Sequence, residues 1–126
     1  SIVWLNQLPP EDMVREYQTS LLCVLPYTGS FAGLPASVAA ANQLPVVCTR
    51  RAGLPDHLGE SGAWVEEENP ELLAERILEL LGSPQLRKEI GARLLKRAQD
   101  FLQWDVIAGR TLQVYQGAAR RKAGLQ

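Results

Sequence analysis

The chain has 126 residues, of which 46% are hydrophobic and 21% charged, a composition typical of one soluble globular domain that can bury a core. Its formal net charge of −1 argues against broad electrostatic binding to nucleic acid, and no apolar run is long enough to span a bilayer. Cys23 and Cys48 both lie in apolar runs. They are typical of reduced core residues, so we expect a cytoplasmic protein.

The first half of the chain alternates between strand and helix patterns. The apolar run Ile2–Leu5 predicts a strand, and because it begins the sequence abruptly we expect a fragment of a longer protein. Pro10 suits the first position of a helix. The runs Leu21–Leu25 and Pro45–Cys48 are continuously apolar, as in strands buried on both faces. The alanine-rich segment Leu34–Asn42 predicts a helix between them.

The second half is mainly helical. Arg50–Leu58 predicts a turn with a short helix, and Gly62–Val65 a short strand. Three further helices are predicted to begin at Pro70, Pro84 and about Trp104. The last of them has an apolar face formed by Val106, Ile107, Leu112 and Tyr115. Residues 117–126 are predicted to be a polar tail, of which Arg120–Gln126 is expected to fray.

Strands that alternate with helices, without hairpin signals, predict an α/β fold with a Rossmann-like parallel sheet and helices on both faces. Ligands of such three-layer folds bind beyond the carboxyl ends of the strands. The loop Tyr27–Gly33 follows a predicted strand, and no charged side chain occurs between Tyr17 and Thr49. Any ligand of this loop must therefore be held without acidic or basic side chains from this segment.

A helix N-terminus can hold phosphate through free backbone N–H groups alone. In this loop Thr28 and Ser30 add hydroxyl groups, while Gly29 and Gly33 allow an unusual turn and a close approach of the backbone. The alternative is that the two glycines only shape the turn, because neither a GxGxxG motif nor a P-loop lysine is present.

Several segments together carry a family resemblance. They are Ala32-Gly33-Leu34-Pro35, Leu44-Pro45-Val46-Val47, Ala52-Gly53-Leu54-Pro55-Asp56, Gly62-Ala63-Trp64-Val65, and Phe101 with Trp104. In this order and spacing the chain resembles the C-terminal, donor-binding half of GT-B glycosyltransferases of the "glycosyl transferases group 1" (family 4) kind. The resemblance implies two Rossmann-like lobes with the active site between them. Residues 1–116 would be part of the donor lobe, and the acceptor lobe and the donor lobe's first strand and helix would be missing.

The sequence departs from the family pattern at the positions that usually carry two glutamates. By alignment on Gly33-Leu34-Pro35 these fall on Ser30, which would face the transferred sugar, and on Val38, which would lie beside the ribose. Gln43 replaces the usual glycine before Leu-Pro-Val-Val, and Ala32 replaces a phenylalanine. The lost carboxylates imply weakened or altered donor binding.

The resemblance implies transfer of a sugar from a nucleotide diphosphate sugar to an acceptor, with no metal or other cofactor. The implied donor-binding residues are Thr28, Gly29, Ser30, Phe31, Ala32, Gly33, Leu34 and Val38. The fragment alone is expected to be inactive, since the acceptor lobe would be absent. The alternative is a catalytically degenerate domain that acts as a binding or scaffolding partner.

A few other residues have two interpretations. Arg50 and Arg51 could face a phosphate or form an ordinary solvated pair. His57 suits a surface or packing role better than a general base. Trp4, Trp64 and Trp104 are expected in the core. The run Arg120-Arg121-Lys122 could touch anionic lipid in the full-length protein, and an uncovered sheet edge could support self-association.

Overall fold

The computed structural model describes residues 2–29, 33–51 and 53–124. Within them lie six α-helices, three β-strands and a 3-10 turn at Gly59–Ser61. The helices are α1 (Pro10–Thr19), α2 (Leu34–Ala41), α3 (Leu54–Leu58), α4 (Pro70–Gly82), α5 (Pro84–Phe101) and α6 (Trp104–Lys122). The strands are β1 (Cys23–Leu25), β2 (Val46–Thr49) and β3 (Ala63–Val65).

The three strands form a parallel sheet in the order β1-β2-β3. Cys23 pairs with Val46 at one end, and Thr49 pairs with Val65 at the other. All four residues of β2 are buried, as expected for a central strand that is covered on both faces. The carboxyl ends of the strands therefore meet at one edge, to which the residues after Leu25, Thr49 and Val65 belong.

The helices form layers around this sheet. Helices α2, α3 and α5 pack on one another, and α4 packs against β2 and β3. Small side chains make the approach of α2 possible, because Ala36, Ala39 and Ala40 have no exposed surface. Leu58 of α3 and Leu94 of α5 are equally buried. The predicted α/β fold of Rossmann-like type is thus confirmed.

Local capping explains where two helices begin. The Asn69 side chain accepts a hydrogen bond from the Leu72 N–H at 2.9 Å, and Ser83 Oγ accepts from the Leu86 N–H at 3.2 Å. Each cap precedes a proline, whose fixed φ suits the first helical position and whose missing N–H costs nothing there. The predicted starts at Pro70 and Pro84 are confirmed.

Both ends of the described chain differ from the prediction. Ile2–Leu5 is not a strand, and Trp4 is 90% exposed, since none of the strands in the described residues pairs with this segment to satisfy its backbone groups. At the other end α6 continues through Lys122, where three basic residues interact favourably with the helix dipole. Its apolar face is largely uncovered, with Trp104 82% exposed, so the expectation that Trp4 and Trp104 are core residues is wrong.

Candidate functional site

The loop after β1 is anchored where it leaves the sheet. Thr49, at the end of β2, is buried, and its Oγ1 donates a 2.6 Å hydrogen bond to the carbonyl of Tyr27. A buried hydroxyl needs such a partner, so this bond satisfies Thr49 and fixes the first residues of the loop at once. The sequence alone did not indicate this role of Thr49, because its partner Tyr27 follows a different strand and is 22 residues away.

The loop ends at Gly33, which is the N-cap of α2. The first intrahelical bond runs from the Ser37 N–H to the Gly33 carbonyl at 3.0 Å, so the N–H groups of Leu34 and Ala36 precede the bonded ladder. Pro35 contributes no N–H. No side chain among the described residues caps this helix, and its partial positive charge is therefore available to an anion.

A second helix begins beside the first. Gly53 is the N-cap of α3, and a Cβ at Gly53 would lie 3.9 Å from the backbone nitrogen of Gly33. The His57 N–H donates to the Gly53 carbonyl at 3.2 Å and closes the first turn of α3. Because neither glycine has a Cβ, the backbones of the two helix starts approach closely and leave room between them for the His57 ring.

His57 fills the room that a side chain at Gly33 would need. A Cβ built on Gly33 would overlap Cδ2 of the His57 ring and lie 2.6 Å from its Nε2. Gly33 has φ −76°, which any residue can adopt, so this contact and not the backbone angle requires glycine. The His57 Nδ1 is 2.6 Å from Ser37 Oγ. The predicted packing role of His57 is confirmed, but nothing in the sequence indicated its partner Ser37, 20 residues away.

Thr28 lines a cavity of about 170 Å³ at the carboxyl edge of the sheet. The other walls come from the ends of all three strands and the start of α4, and the residues are Pro26, Thr49, Val65, Glu66, Glu68, Asn69, Pro70 and Leu73. Thr28 is exposed and Gly29 partly buried. The two carboxylates give this side of the opening an acidic character, in contrast to the charge-free side at Gly33.

Arg50 and Arg51 follow β2 and both contact carboxylates. Arg50 makes two hydrogen bonds to Glu60, at 3.0 and 2.9 Å, and its guanidinium lies 4.7 Å from the centroid of the Trp64 ring. The bond to Arg50 lowers the pKa of the Glu60 carboxyl. Arg51 Nε is 3.4 Å from Glu67. Both pairs are solvent-accessible, so another anion could compete for either arginine.

The remaining predicted site residues are distributed unevenly. Ser30, Phe31 and Ala32 lie outside the described residues. Leu34 is 67% exposed at the first position of α2, and Val38 is partly buried one turn further along. An aliphatic side chain at Val38 can accept no hydrogen bond.

Possible metal ligands and the two thiols lie as follows. Within residues 2–29, 33–51 and 53–124, no three histidine, cysteine or acidic side chains converge as metal ligands. Both cysteines are free, and burial raises the pKa of Cys23 to about 11 and that of Cys48 to about 12. Both thiols are therefore protonated near neutral pH and poor nucleophiles. In the described part of the chain, no helix has the length and apolarity needed to cross a membrane.

Comparison with known proteins agrees with this architecture. Residues 1–83 match the family described as "Glycosyl transferases group 1". The chain is 32% identical over 118 residues to D-inositol 3-phosphate glycosyltransferase of Corynebacterium diphtheriae, covering 92% of this chain and 27% of that protein. It is 28% identical over 114 residues to O-antigen chain mannosyltransferase B of Escherichia coli, covering 90% and 30% respectively.

A solved structure gives the same result for the fold. Sucrose-phosphate synthase from Thermosynechococcus elongatus, a GT-B protein, superimposes with a TM-score of 0.81 at 26% identity, covering 94% of this chain and 30% of that one. The chain thus spans less than a third of the length of each of these three proteins. It belongs to the glycosyl transferases group 1 family and has the α/β fold of a GT-B lobe.

Proposed function

We propose that this chain is the donor-binding part of a glycosyltransferase that moves a sugar from a nucleotide diphosphate sugar to an acceptor. The observation that carries the proposal is the pair of adjacent helix starts at Gly33 and Gly53, at the carboxyl edge of the sheet. Family membership supports the same class of ligand. The acceptor would be bound by another lobe of a longer protein.

The diphosphate would be held mainly by backbone groups. The N–H groups of Leu34 and Ala36 and the positive end of α2 attract phosphate without a charged side chain, and the Thr28 hydroxyl adds a donor. The sugar would contact residues from Gly29 through Leu34. This arrangement needs no metal, because helix-end amides meet the phosphate charge.

Ribose recognition would be the weak part of this site. A carboxylate at position 38 would accept bonds from the ribose hydroxyls, whereas Val38 accepts none. Each lost bond to a charged group is worth roughly 1.5–3 kcal/mol. We therefore expect looser binding of the nucleotide, or another nucleotide preference, than an acidic residue would give.

Arg50 and Arg51 would join the phosphate only by leaving Glu60 and Glu67. Both ion pairs are exposed and screened by water, so a diphosphate with higher charge can displace either carboxylate. The two arginines are therefore proposed as secondary phosphate contacts that form on binding.

The test is a calorimetric and thermal-shift titration of the longest obtainable parent chain with UDP-, GDP-, ADP- and dTDP-sugars. A ligand at about 100 times its dissociation constant stabilises the fold by about 2.7 kcal/mol. Leu34→Glu places a negative charge at the first turn of α2, which suits the helix but repels phosphate. We expect this variant to lose the ligand-induced shift, while the neutral Leu34→Gln keeps it.

Leu78→Glu makes the same charge change at a leucine of α4 that is 67% exposed, and it should leave binding unchanged. If Leu34→Glu binds as well as the parent sequence, the donor phosphate does not lie at the start of α2. If the folded parent binds none of the nucleotide sugars, the second candidate is favoured, a degenerate domain that acts as a binding or scaffolding partner. The observation that supports this candidate is Val38, which cannot hold a ribose.

The surroundings of the parent protein are also part of the proposal. We propose a cytoplasmic protein, as the two reduced cysteines suggest. We also propose that it has no nucleic-acid partner, since the net charge is −1. The exposed apolar residues of Ile2–Leu5 and α6 are candidates for contact with the missing lobe or with a second copy. Arg120, Arg121 and Lys122 are candidates for contact with anionic lipid.

A further inference from the structure

A hydrogen-bonded pair of side chains joins the first turn of α2 to α3. Ser37 lies on α2, four residues after its N-cap, and its Oγ is 2.6 Å from Nδ1 of His57 on α3. The same Oγ lies 3.3 Å from the carbonyl of Gly33. The pair therefore touches both ends of the turn that carries the free amides of Leu34 and Ala36.

His57 is fixed from two further directions. Its ring lies against Gly33, where no Cβ would fit, and Cδ2 is 3.7 Å from the position of a Cβ on Gly53. From α5, Arg97 donates to the carbonyl of His57 at 3.4 Å through Nε and to the carbonyl of Asp56 at 2.8 Å through Nη2. The ring is thus held by Ser37 and Gly33 of α2, and Arg97 of α5 holds the backbone of α3 that carries it.

We infer that Ser37 and His57 are positioning residues, which set the first turn of α2 against α3 so that its amides converge on a nucleotide diphosphate. The inference rests on the proposed function. In this inference Ser37 and His57 do not themselves contact the donor. Their task is to fix the distance between the starts of two helices that also pack on each other and on α5.

The chemistry of the pair explains why a packing residue would not do the same. The Ser37 hydroxyl has one proton and two acceptors within reach, His57 Nδ1 and the Gly33 carbonyl. It donates to Nδ1 when that nitrogen is bare. When Nδ1 carries the proton, the ring donates to Oγ and the hydroxyl turns to Gly33. With either tautomer a hydrogen bond therefore links α2 to α3 in the same orientation. An apolar contact would not fix that orientation.

The variants are chosen to separate the hydrogen bond from the volume. Ser37→Ala removes the hydroxyl. His57→Asn keeps a polar group where Nδ1 stands, and His57→Leu has a similar shape to asparagine but no polar group. For each variant of the longest parent chain, the Kd for UDP, GDP, ADP and dTDP is measured by calorimetry at a temperature where all variants are folded. Hydrogen exchange of the Ser37 and Val38 amides is measured in parallel, without ligand.

We expect Ser37→Ala and His57→Leu to weaken the Kd of the preferred nucleotide about three- to tenfold, and His57→Asn to stay close to the parent sequence. Amide exchange in the first turn of α2 should be faster in the same two variants. A purely structural role would lower the melting temperature of these variants and leave the Kd of the folded protein unchanged. That result would overturn the inference while the proposed function stands.

Failure of the proposed function gives a different pattern. If the parent sequence binds none of the four nucleotides, the donor site is wrong, and so is the part of the inference that names a diphosphate. Exchange then decides the remainder alone. Unchanged exchange in Ser37→Ala and His57→Leu would show that the pair does not hold the turn at all.

Discussion

Two parts of the chain carry similar sequence signals but have opposite surroundings. One is the region around α2, α3 and α5, and the other consists of the two separate segments Ile2–Leu5 and α6. In the first region apolar residues at regular spacing are buried, and Leu94 has no exposed surface. In the second, apolar side chains are exposed to solvent, and Leu112 is 54% exposed. We call these the packed region and the open region.

The difference shows what periodicity can and cannot indicate. Spacing reveals that an element has an apolar face, because the face is a property of the element. Whether another element covers that face depends on the rest of the structure. In the packed region, Ala36 and Gly91 are small enough for helices to approach closely, and specific contacts such as Arg97 to Asp56 fix their orientation. In the open region, the guanidinium of Arg110 lies 4.7 Å from the centroid of the Phe101 ring of α5, but the apolar face of α6 stays exposed.

The largest expected effect comes from equal leucine truncations in the two regions. Leu94→Ala should lower the free energy of unfolding by about 2–5 kcal/mol, because it leaves a cavity in a filled core. Leu112→Ala removes the same atoms from an exposed site and should change it by less than about 0.5 kcal/mol. Urea denaturation measures both. Equal losses would mean that α6 is covered in solution, by a second copy or by other parts of the protein.

Glycine replacements sharpen the same comparison. A Cβ at Gly91 of α5 would overlap the backbone carbonyl oxygen of Gln43, which cannot move aside as a side chain can. Gly91→Ala should therefore destabilise the fold by about 1–3 kcal/mol. Gly109 of α6 has no atom within 4 Å of such a Cβ, so Gly109→Ala should stabilise by up to about 1 kcal/mol through helix propensity. A loss at both positions would contradict the open surroundings of α6.

What the sequence predicts follows from the range of the interactions involved. The starts of α4 and α5 depend on hydrogen bonds that Asn69 and Ser83 accept from groups three residues away, so a short stretch of sequence is enough to predict them. The strand predicted at Ile2–Leu5 failed because a strand needs a neighbour, which no local pattern supplies. The family resemblance led to the loop at Gly33, but Thr49 and Ser37 were missed because their partners are 22 and 20 residues away.

The contact between Gly33 and His57 allows a test within the packed region. Gly33→Ala should destabilise by about 1–2 kcal/mol, since the new Cβ overlaps the His57 ring and the ring is held by Ser37. In a His57→Ala background the obstacle is gone, and the same substitution should be close to neutral. A double-mutant cycle by urea denaturation measures the coupling. If Gly33→Ala costs the same in both backgrounds, something other than His57 requires glycine at this position.

The smallest effect concerns the turn between α2 and β2, where Gln43 has φ 56°. This left-handed conformation costs a residue with a Cβ about 1–2 kcal/mol, and glycine avoids that cost but loses more entropy on folding. Gln43→Gly should therefore stabilise by about 0.5–1 kcal/mol. The matched change Gln99→Gly, in the right-handed backbone of α5, should destabilise by about 1 kcal/mol.

Gln43→Ala completes the comparison, because it removes the polar side chain but keeps a Cβ in the left-handed region. We expect it to be no more stable than the parent sequence, as measured by urea denaturation under the same conditions. If Gln43→Ala stabilises as much as Gln43→Gly, the glutamine side chain and not the backbone angle is unfavourable there. The left-handed backbone at residue 43 would then not be the feature that holds its carbonyl against Gly91. The close approach of α5 to this turn would depend on the packing of the helices instead.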